Sequence, residues 1–160
     1  MLLLLIRHAE TRQDPSVPSS QWHLTERAYA ACDNLAKRSR ERSLNRIITS
    51  EEFKAKETGR VLAEHLNIPW NTAPNLHEHE RVGVPYMEQV VWLGQLESFF
   101  KSSDDLILEN ETSVQARQRF DSAVRGVLRA HPNEPLAVVA HTSVLALFVA
   151  HYNEVDVFSF

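Results

Sequence analysis

The sequence contains a single cysteine, Cys32, among its 160 residues, so no disulfide can form within the chain. Disulfides persist mainly in oxidising compartments, so we expect this protein in a reducing one, the cytoplasm. No apolar run approaches the roughly 20 residues of a membrane-spanning helix. The apolar run at residues 2–6 is too short for a secretion signal, and the charged pair Arg7-His8 follows it directly.

Basic residues are not in excess either. The chain has 17 Lys and Arg against 21 Asp and Glu, which leaves a net charge of −4. This balance argues against a general affinity for nucleic acid or for an anionic membrane surface, so a phosphate site would need a local cluster of cations. The sequence shows no internal repeat, low-complexity tract or linker, and its length suits one domain over residues 1–160.

What the sequence does have is two short, unbroken apolar runs, at residues 2–6 and 136–140. Such runs are typical of strands that are buried on both faces of a parallel sheet. Arg7 and His8 follow the first run, and His141 follows the second. Open α/β sheets place their ligands at the carboxyl ends of their strands. If the two strands are central and parallel, His8 and His141 therefore emerge side by side at a crevice.

The sequence between and after these runs alternates between helical and extended patterns. Apolar residues at helical spacing predict helices that begin near Thr25, Ser50, Met87, Thr112 and Val144, and short segments at 44–49 and 69–73 predict further strands. Ser50 is expected to cap its helix, with Glu51 and Glu52 in the first turn, and residues 112–115 match a capping box. Residues 155–160 are expected to form an edge strand. The alternation predicts an α/β fold, a three-layer α/β/α sandwich with a mostly parallel central sheet.

The residues at the two strand ends suit phosphate chemistry. A neutral imidazole nitrogen attacks phosphorus and forms a covalent phospho-enzyme, which divides one hard step into two easier ones. The planar fork of an arginine binds two phosphate oxygens at once. A second, protonated histidine stabilises the charge on the transferring phosphoryl group. Arg7, His8 and His141 therefore predict a phosphomonoester site.

The segment Leu5-Ile6-Arg7-His8-Ala9-Glu10-Thr11 resembles the Arg-His-Gly signature of the histidine phosphatase superfamily, the phosphoglycerate mutase-like proteins. Further segments resemble the motifs of that family in the same order: Leu24-Thr25-Glu26, Thr49-Ser50 with Lys54-Ala55 and Thr58, Leu76 with Glu78, Asn110-Glu111-Thr112, and Val138-Val139-Ala140-His141. The resemblance covers nearly the whole chain, and it implies the phosphoglycerate mutase-like fold.

The resemblance also implies a role for each matching residue. His8 is the phosphorylated nucleophile, Arg7 and His141 grip the phosphate, and Glu78 is the general acid that later takes a proton from the hydrolytic water. Glu78 must then hold a proton near neutral pH, which requires burial or a nearby anion such as the phosphate itself. The implied activity is a phosphomonoester hydrolase, a cofactor-independent histidine acid phosphatase that acts through phosphohistidine.

Several positions near the expected phosphate depart from the family pattern. Lys54 stands where the family has a second arginine, and lysine keeps the charge but loses the bidentate geometry. Asp14 stands where many members have asparagine, and an ionised carboxylate there would repel phosphate. Ala9 and Thr142 replace the glycines that follow the two histidines. We expect Lys54, Asp14 and Thr142 to lie in the substrate site together with Arg7.

The loop at residues 75–85 leaves two questions open. Arg81 contacts the non-phosphate part of a substrate or pairs with Glu80. His77 and His79, which alternate with two carboxylates, allow a zinc site only if a third ligand and an open position exist. The sequence offers no spaced metal motif, so no metal and no other cofactor is expected.

Other functions remain as alternatives to hydrolysis. The changes at Lys54 and Asp14 favour a weakly active or inactive member that binds a phosphorylated ligand or partner protein. A mutase acting on a phosphorylated metabolite is a variant of the same chemistry. It is less favoured because little sequence lies between Glu78 and Thr112 to enclose an intermediate. The expected partner is a phosphorylated small molecule, with a phosphoprotein as a further option.

Overall fold

A computed structural model describes residues 2–108 and 110–159. In this part of the chain the strands are β1 (Leu3–Arg7), β2 (Arg46–Thr49), β3 (Trp70–Thr72) and β4 (Leu136–Ala140). The helices are α1 (Glu26–Ser39), α2 (Phe53–Leu66), α3 (Gln89–Lys101), α4 (Ser113–Ala130) and α5 (Thr142–Asn153). Short 3₁₀ turns cover Ser19–Gln21, Arg40–Arg42 and Val157–Ser159.

The strands form one parallel sheet in the order β1-β4-β2-β3. Every residue of β4 is buried, because it lies between two neighbouring strands and under helices on both faces. The register pairs Arg7 of β1 with Ala140 of β4, and the backbone amide of His8 donates to the carbonyl of Ala140 at 2.9 Å. The residues that follow β1 and β4 therefore emerge together, as the two apolar runs predicted.

Two apolar cores cover the two faces of the sheet. One is formed by α1 and α2 with alternate strand residues such as Ile47 and Val139, and it contains the buried Cys32. The other is formed by α3, α4 and α5 around Phe120, Val138 and neighbouring residues. The predicted three-layer α/β/α sandwich with a parallel sheet is confirmed. The capping box is present too, since the side chains of Thr112 and Gln115 each bind the backbone amide of the other.

The predicted edge strand at 155–160 is wrong over the residues described, because Val157–Ser159 is a 3₁₀ turn. The backbone groups there are used locally. The amide of Val155 returns to the carbonyl of Ala150 at 3.2 Å, and the carboxylate of Asp156 accepts from the amide of Phe158 at 2.8 Å. Phe160 lies outside the described residues.

Gly59 allows α2 to pack closely on the sheet. A Cβ at this position would overlap the Cγ2 methyl of Thr49 in β2. The contact sets the position of the first turn of α2, which carries Lys54, against the carboxyl end of β2. Among the helices described, none is long and apolar enough to cross a membrane.

Candidate active site

The imidazoles of His8 and His141 face each other at the carboxyl ends of β1 and β4, with ring centroids 5.2 Å apart. Nδ1 of His8 lies 2.8 Å from the carbonyl oxygen of Ala9. A carbonyl only accepts hydrogen bonds, so Nδ1 carries the proton and Nε2 keeps its lone pair. Burial lowers the pKa of His8, and the Ala9 carbonyl opposes this only in part. The geometry thus holds an unprotonated nitrogen that is suited to nucleophilic attack.

His141 is completely buried, and neither of its ring nitrogens has a hydrogen-bond partner among the residues described. Burial lowers its pKa to about 4, although the carboxylates of Glu52 and Glu78 oppose the shift. The sequence led us to expect a protonated imidazole here. The folded protein instead holds His141 neutral near pH 7, since burial outweighs both carboxylates.

Glu78 lies against the first turn of α5. Its carboxylate accepts hydrogen bonds from the backbone amides of Ser143, at 3.1 Å, and Val144, at 3.2 Å. Nδ1 of the buried His79 is 3.5 Å from the same carboxylate. A helix N-terminus favours negative charge through its free amides and its dipole.

Glu78 is therefore ionised in the folded protein. Burial raises the pKa of Glu78, but the opposing effects of His79, His141 and the Ser143 amide hold it well below its ordinary value. The expectation that Glu78 holds its proton near neutral pH is not met by the fold alone, even though the carboxyl group is buried.

Glu52 is a site residue that the sequence did not reveal. It is the N-cap residue of α2, which begins at Phe53, whereas the sequence placed Glu52 within the first turn. Its Oε1 accepts from the backbone amide of Glu78 at 2.9 Å and lies 3.5 Å from Nε2 of His141. Its Oε2 lies 2.7 Å from Nζ of Lys54. Although burial raises the pKa of Glu52, the nearby cation and imidazole lower it below its ordinary value.

Two cations meet at Ser19 beside this carboxylate. Nζ of the buried Lys54 donates to the carbonyl oxygen of Ser19, and Nη2 of Arg81 donates to its hydroxyl, both at 2.7 Å. The Arg81 guanidinium also lies over the ring of Trp92, 4.4 Å from its centroid. Glu80 lies 3.4 Å from His77 instead, so the alternative of an Arg81–Glu80 pair is wrong.

Three predicted residues have their contacts elsewhere. The exposed Arg7 and Thr142 line an open groove of about 900 Å³ whose other walls are mainly apolar residues of α3 and α5. The carboxylate of Asp14 accepts from the backbone amide of Ser16 at 2.9 Å, within its own loop. His8, His141, Glu78, Lys54 and Arg81 are the predicted residues that the fold gathers around Glu52.

The ion pair between Arg119 and Glu111 holds the loop that carries Glu78 in place. Arg119 of α4 pairs with Glu111 through Nε and Oε1 at 2.7 Å. Its guanidinium also donates to three loop carbonyls, those of Asn75, His77 and Glu78. Glu111 in turn accepts from the amide of Glu80 at 2.9 Å.

The two histidines of the loop, His77 and His79, lie in different environments. His77 pairs with Glu80, while the ring of His79 is buried next to Phe99, at 4.6 Å between centroids, and Trp92, at 5.8 Å. In residues 2–108 and 110–159, no group of three His, Cys, Asp or Glu side chains is arranged to hold a metal ion.

The burial of His141 predicts a pH-dependent stability. Its pKa is about 4 in the folded chain and 6.5 ordinarily, so the unfolded chain binds more protons between these values. Above pH 6.5 the neutral imidazole makes its full contribution to the free energy of unfolding. About 3 kcal/mol of that free energy is lost as the pH falls to 4. His141→Asn should therefore lose less stability than the wild type between pH 6.5 and 4 in urea unfolding. The exposed His151→Asn serves as control, and an equal loss in all three proteins would contradict the prediction.

Comparison with known proteins identifies the family of this chain. The family model described as "histidine phosphatase superfamily (branch 1)" matches residues 3–160. No curated protein matches the chain.

Solved structures show the same fold. The chain is similar to YhfR of Bacillus stearothermophilus, with a TM-score of 0.78 and 24% identity over 96% of this chain and 80% of that one. It is similar to the mycobacterial glucosyl-3-phosphoglycerate phosphatase, with a TM-score of 0.78 and 17% identity over 97% and 81% of the two chains. For the alpha-ribazole phosphatase of Shigella flexneri the TM-score is 0.76, with 21% identity over 99% and 83%. With a family model that spans nearly the whole chain and two histidines that face each other at the ends of adjacent strands, this protein belongs to the histidine phosphatase superfamily, branch 1.

Proposed function

We propose that the protein hydrolyses phosphomonoesters through a phosphohistidine formed on His8. The superfamily and its structural neighbours indicate a phosphatase-type enzyme. The observation that carries the proposal of a phosphohistidine is the His8–His141 pair. Nδ1 of His8 is hydrogen-bonded to the carbonyl of Ala9, so Nε2 is the nitrogen that remains for attack. The neighbours include phosphatases named for glucosyl-3-phosphoglycerate and for alpha-ribazole, which supports a phosphorylated small molecule as substrate.

In the first step, Nε2 of His8 attacks phosphorus and the bond between phosphorus and the ester oxygen breaks. The departing oxygen needs a proton, and Glu78 is assigned to deliver it. A phosphoryl anion beside Glu78 raises the pKa of that carboxyl group, because like charges disfavour ionisation. In the second step, Glu78 as carboxylate takes a proton from the water that attacks phospho-His8, and phosphate is released.

The cations and His141 bind the phosphoryl oxygens in this proposal. His141 donates from a neutral ring, and Lys54 supplies charge from the first turn of α2. Arg7 contributes its fork if its exposed side chain turns from the groove towards His8. We assign Arg81 to the non-phosphate part of the substrate, and the single cysteine favours a cytoplasmic setting.

Trapping the intermediate tests the proposal. The full chain is mixed with an aryl phosphate and quenched in alkali during turnover, since phosphohistidine survives alkali but not acid. Mass spectrometry is expected to place the phosphoryl group on His8, and a chelator is expected to leave the turnover rate unchanged. Turnover with a phosphoryl group on another residue, or turnover that a chelator abolishes, would refute the mechanism.

One observation favours a second candidate, a protein that binds a phosphorylated ligand with little turnover. The charge of Lys54 is balanced by Glu52 at 2.7 Å, which weakens the pull of this lysine on an incoming phosphate. Calorimetric binding of inorganic phosphate without aryl phosphate hydrolysis and without phosphohistidine would support this candidate over the enzyme.

A further inference from the structure

Glu52 places a second buried carboxylate where the proposed substrate must bind. Its side chain is 11% exposed and is held at both oxygens, by Lys54 and by the amide of Glu78, so it is not free to turn away. It faces Nε2 of His141 at 3.5 Å, and this imidazole has no hydrogen-bond partner among the described residues. The arrangement leaves an unpartnered buried imidazole next to His8, where the phosphoryl group is proposed to bind, with an anion beside it.

The charges around Glu52 leave little attraction for a dianion. The ionisable groups that face it are Lys54 from α2, His141 from the end of β4, His8 from the end of β1, and Glu78 and Arg81 from the loop. The two cations are balanced by the carboxylates of Glu52 and Glu78, and burial keeps both imidazoles neutral near pH 7. These groups together carry no net charge.

A phosphate that His141 holds through Nε2 shares this donor with Glu52. A hydrogen bond from Nε2 places a phosphate oxygen about 3 Å from that nitrogen, and the Glu52 oxygen already lies 3.5 Å from it. Two acceptor oxygens that share one donor repel each other unless a proton lies between them. A phosphoryl group that carries one proton removes the repulsion, because its P–OH donates to the Glu52 carboxylate.

We infer that Glu52 selects the singly protonated, monoanionic form of the phosphoryl group and rejects tetrahedral dianions that carry no proton. The inference rests on the proposed function, since it assumes that the phosphoryl group binds between His8 and His141. When the dianion predominates in solution, binding takes up one proton from water, and this proton is shared between the phosphate oxygen and Glu52.

Binding of inorganic phosphate and sulfate to the full chain tests this, because neither anion requires turnover. Sulfate has the shape of phosphate but carries no proton near neutral pH. By calorimetry, the wild type should bind phosphate but not sulfate. Above the second pKa of phosphate, its affinity should fall about tenfold per pH unit, the slope for one linked proton.

Glu52→Gln should change both results. It should bind sulfate, and at pH 8 it should bind phosphate about 10 to 100 times more tightly than the wild type, since a buried like charge is removed. Glu51→Gln makes the same charge change on the exposed neighbouring residue and should behave as the wild type.

Proton uptake, measured in two buffers of different ionisation enthalpy, decides where the proton goes. At pH 8 the wild type should take up about one proton per phosphate more than Glu52→Gln does. Equal uptake in both proteins would assign the proton to another group and overturn the inference. Sulfate binding by the wild type, an affinity for phosphate that does not change with pH, or no phosphate binding would overturn it as well. These outcomes are distinct from failure of the proposed function, which is read from phosphohistidine trapping.

Discussion

His8→Ala is expected to lower kcat for aryl phosphate hydrolysis by a factor of about 10⁴ or more and to remove the alkali-stable phosphoryl group from the protein. The nucleophilic nitrogen leaves with the side chain. The other groups of the site are not placed to replace it, since His141 is completely buried and Glu78 is bound to the first turn of α5. Stopped assays with purified protein and alkaline quench measure both effects.

The matched control for this experiment is His151→Ala. His151 is exposed on α5, so its loss should leave kcat within about twofold of the wild type. Circular dichroism before each assay establishes that both variants are folded. An equal kcat for aryl phosphate hydrolysis in the wild type and in His8→Ala would show that hydrolysis does not pass through this histidine.

Arg119→Met is expected to have the second largest effect. Arg119 pairs with Glu111 and donates to three carbonyls of the loop at 75–78, so its loss releases the segment that aims Glu78 and leaves a buried carboxylate unpaired. Breaking a buried pair costs about 3–5 kcal/mol of the free energy of unfolding. A misplacement of Glu78 by about 1 Å should lower kcat about 10²-fold. Urea unfolding and steady-state kinetics measure the two effects.

A double variant separates stability from the positioning of Glu78. Glu111→Leu combined with Arg119→Met removes both charges, so it should regain part of the free energy of unfolding. Its kcat should stay low, because the loop carbonyls still lack the guanidinium. Arg129→Met on the exposed end of α4 is the control for loss of an arginine. Recovery of full kcat by the double variant would show that Arg119 does not position Glu78.

The sheet could be predicted because its central strands leave a simple sequence pattern. A strand buried on both faces needs an unbroken apolar run, and residues 136–140 supply one in the fully buried β4. The edge strand predicted at residues 155–160 was wrong over the residues described. Residues 155–159 contain apolar side chains, but the local hydrogen bonds of Asp156 and Val155 satisfy backbone groups that an edge strand would leave free.

The order of strands and helices, the family motifs and the two histidines at the strand ends could all be predicted before folding was considered, because each depends on residues that are close together in the chain. The electrostatics of the site could be read only from the folded chain. Glu52 and Glu78 lie 26 residues apart, and no local pattern reveals that the carboxylate of one accepts from the amide of the other. Burial keeps His141 neutral, and neighbouring groups keep Glu78 ionised in spite of its burial, both against the sequence expectation. These effects arise only when distant segments pack together.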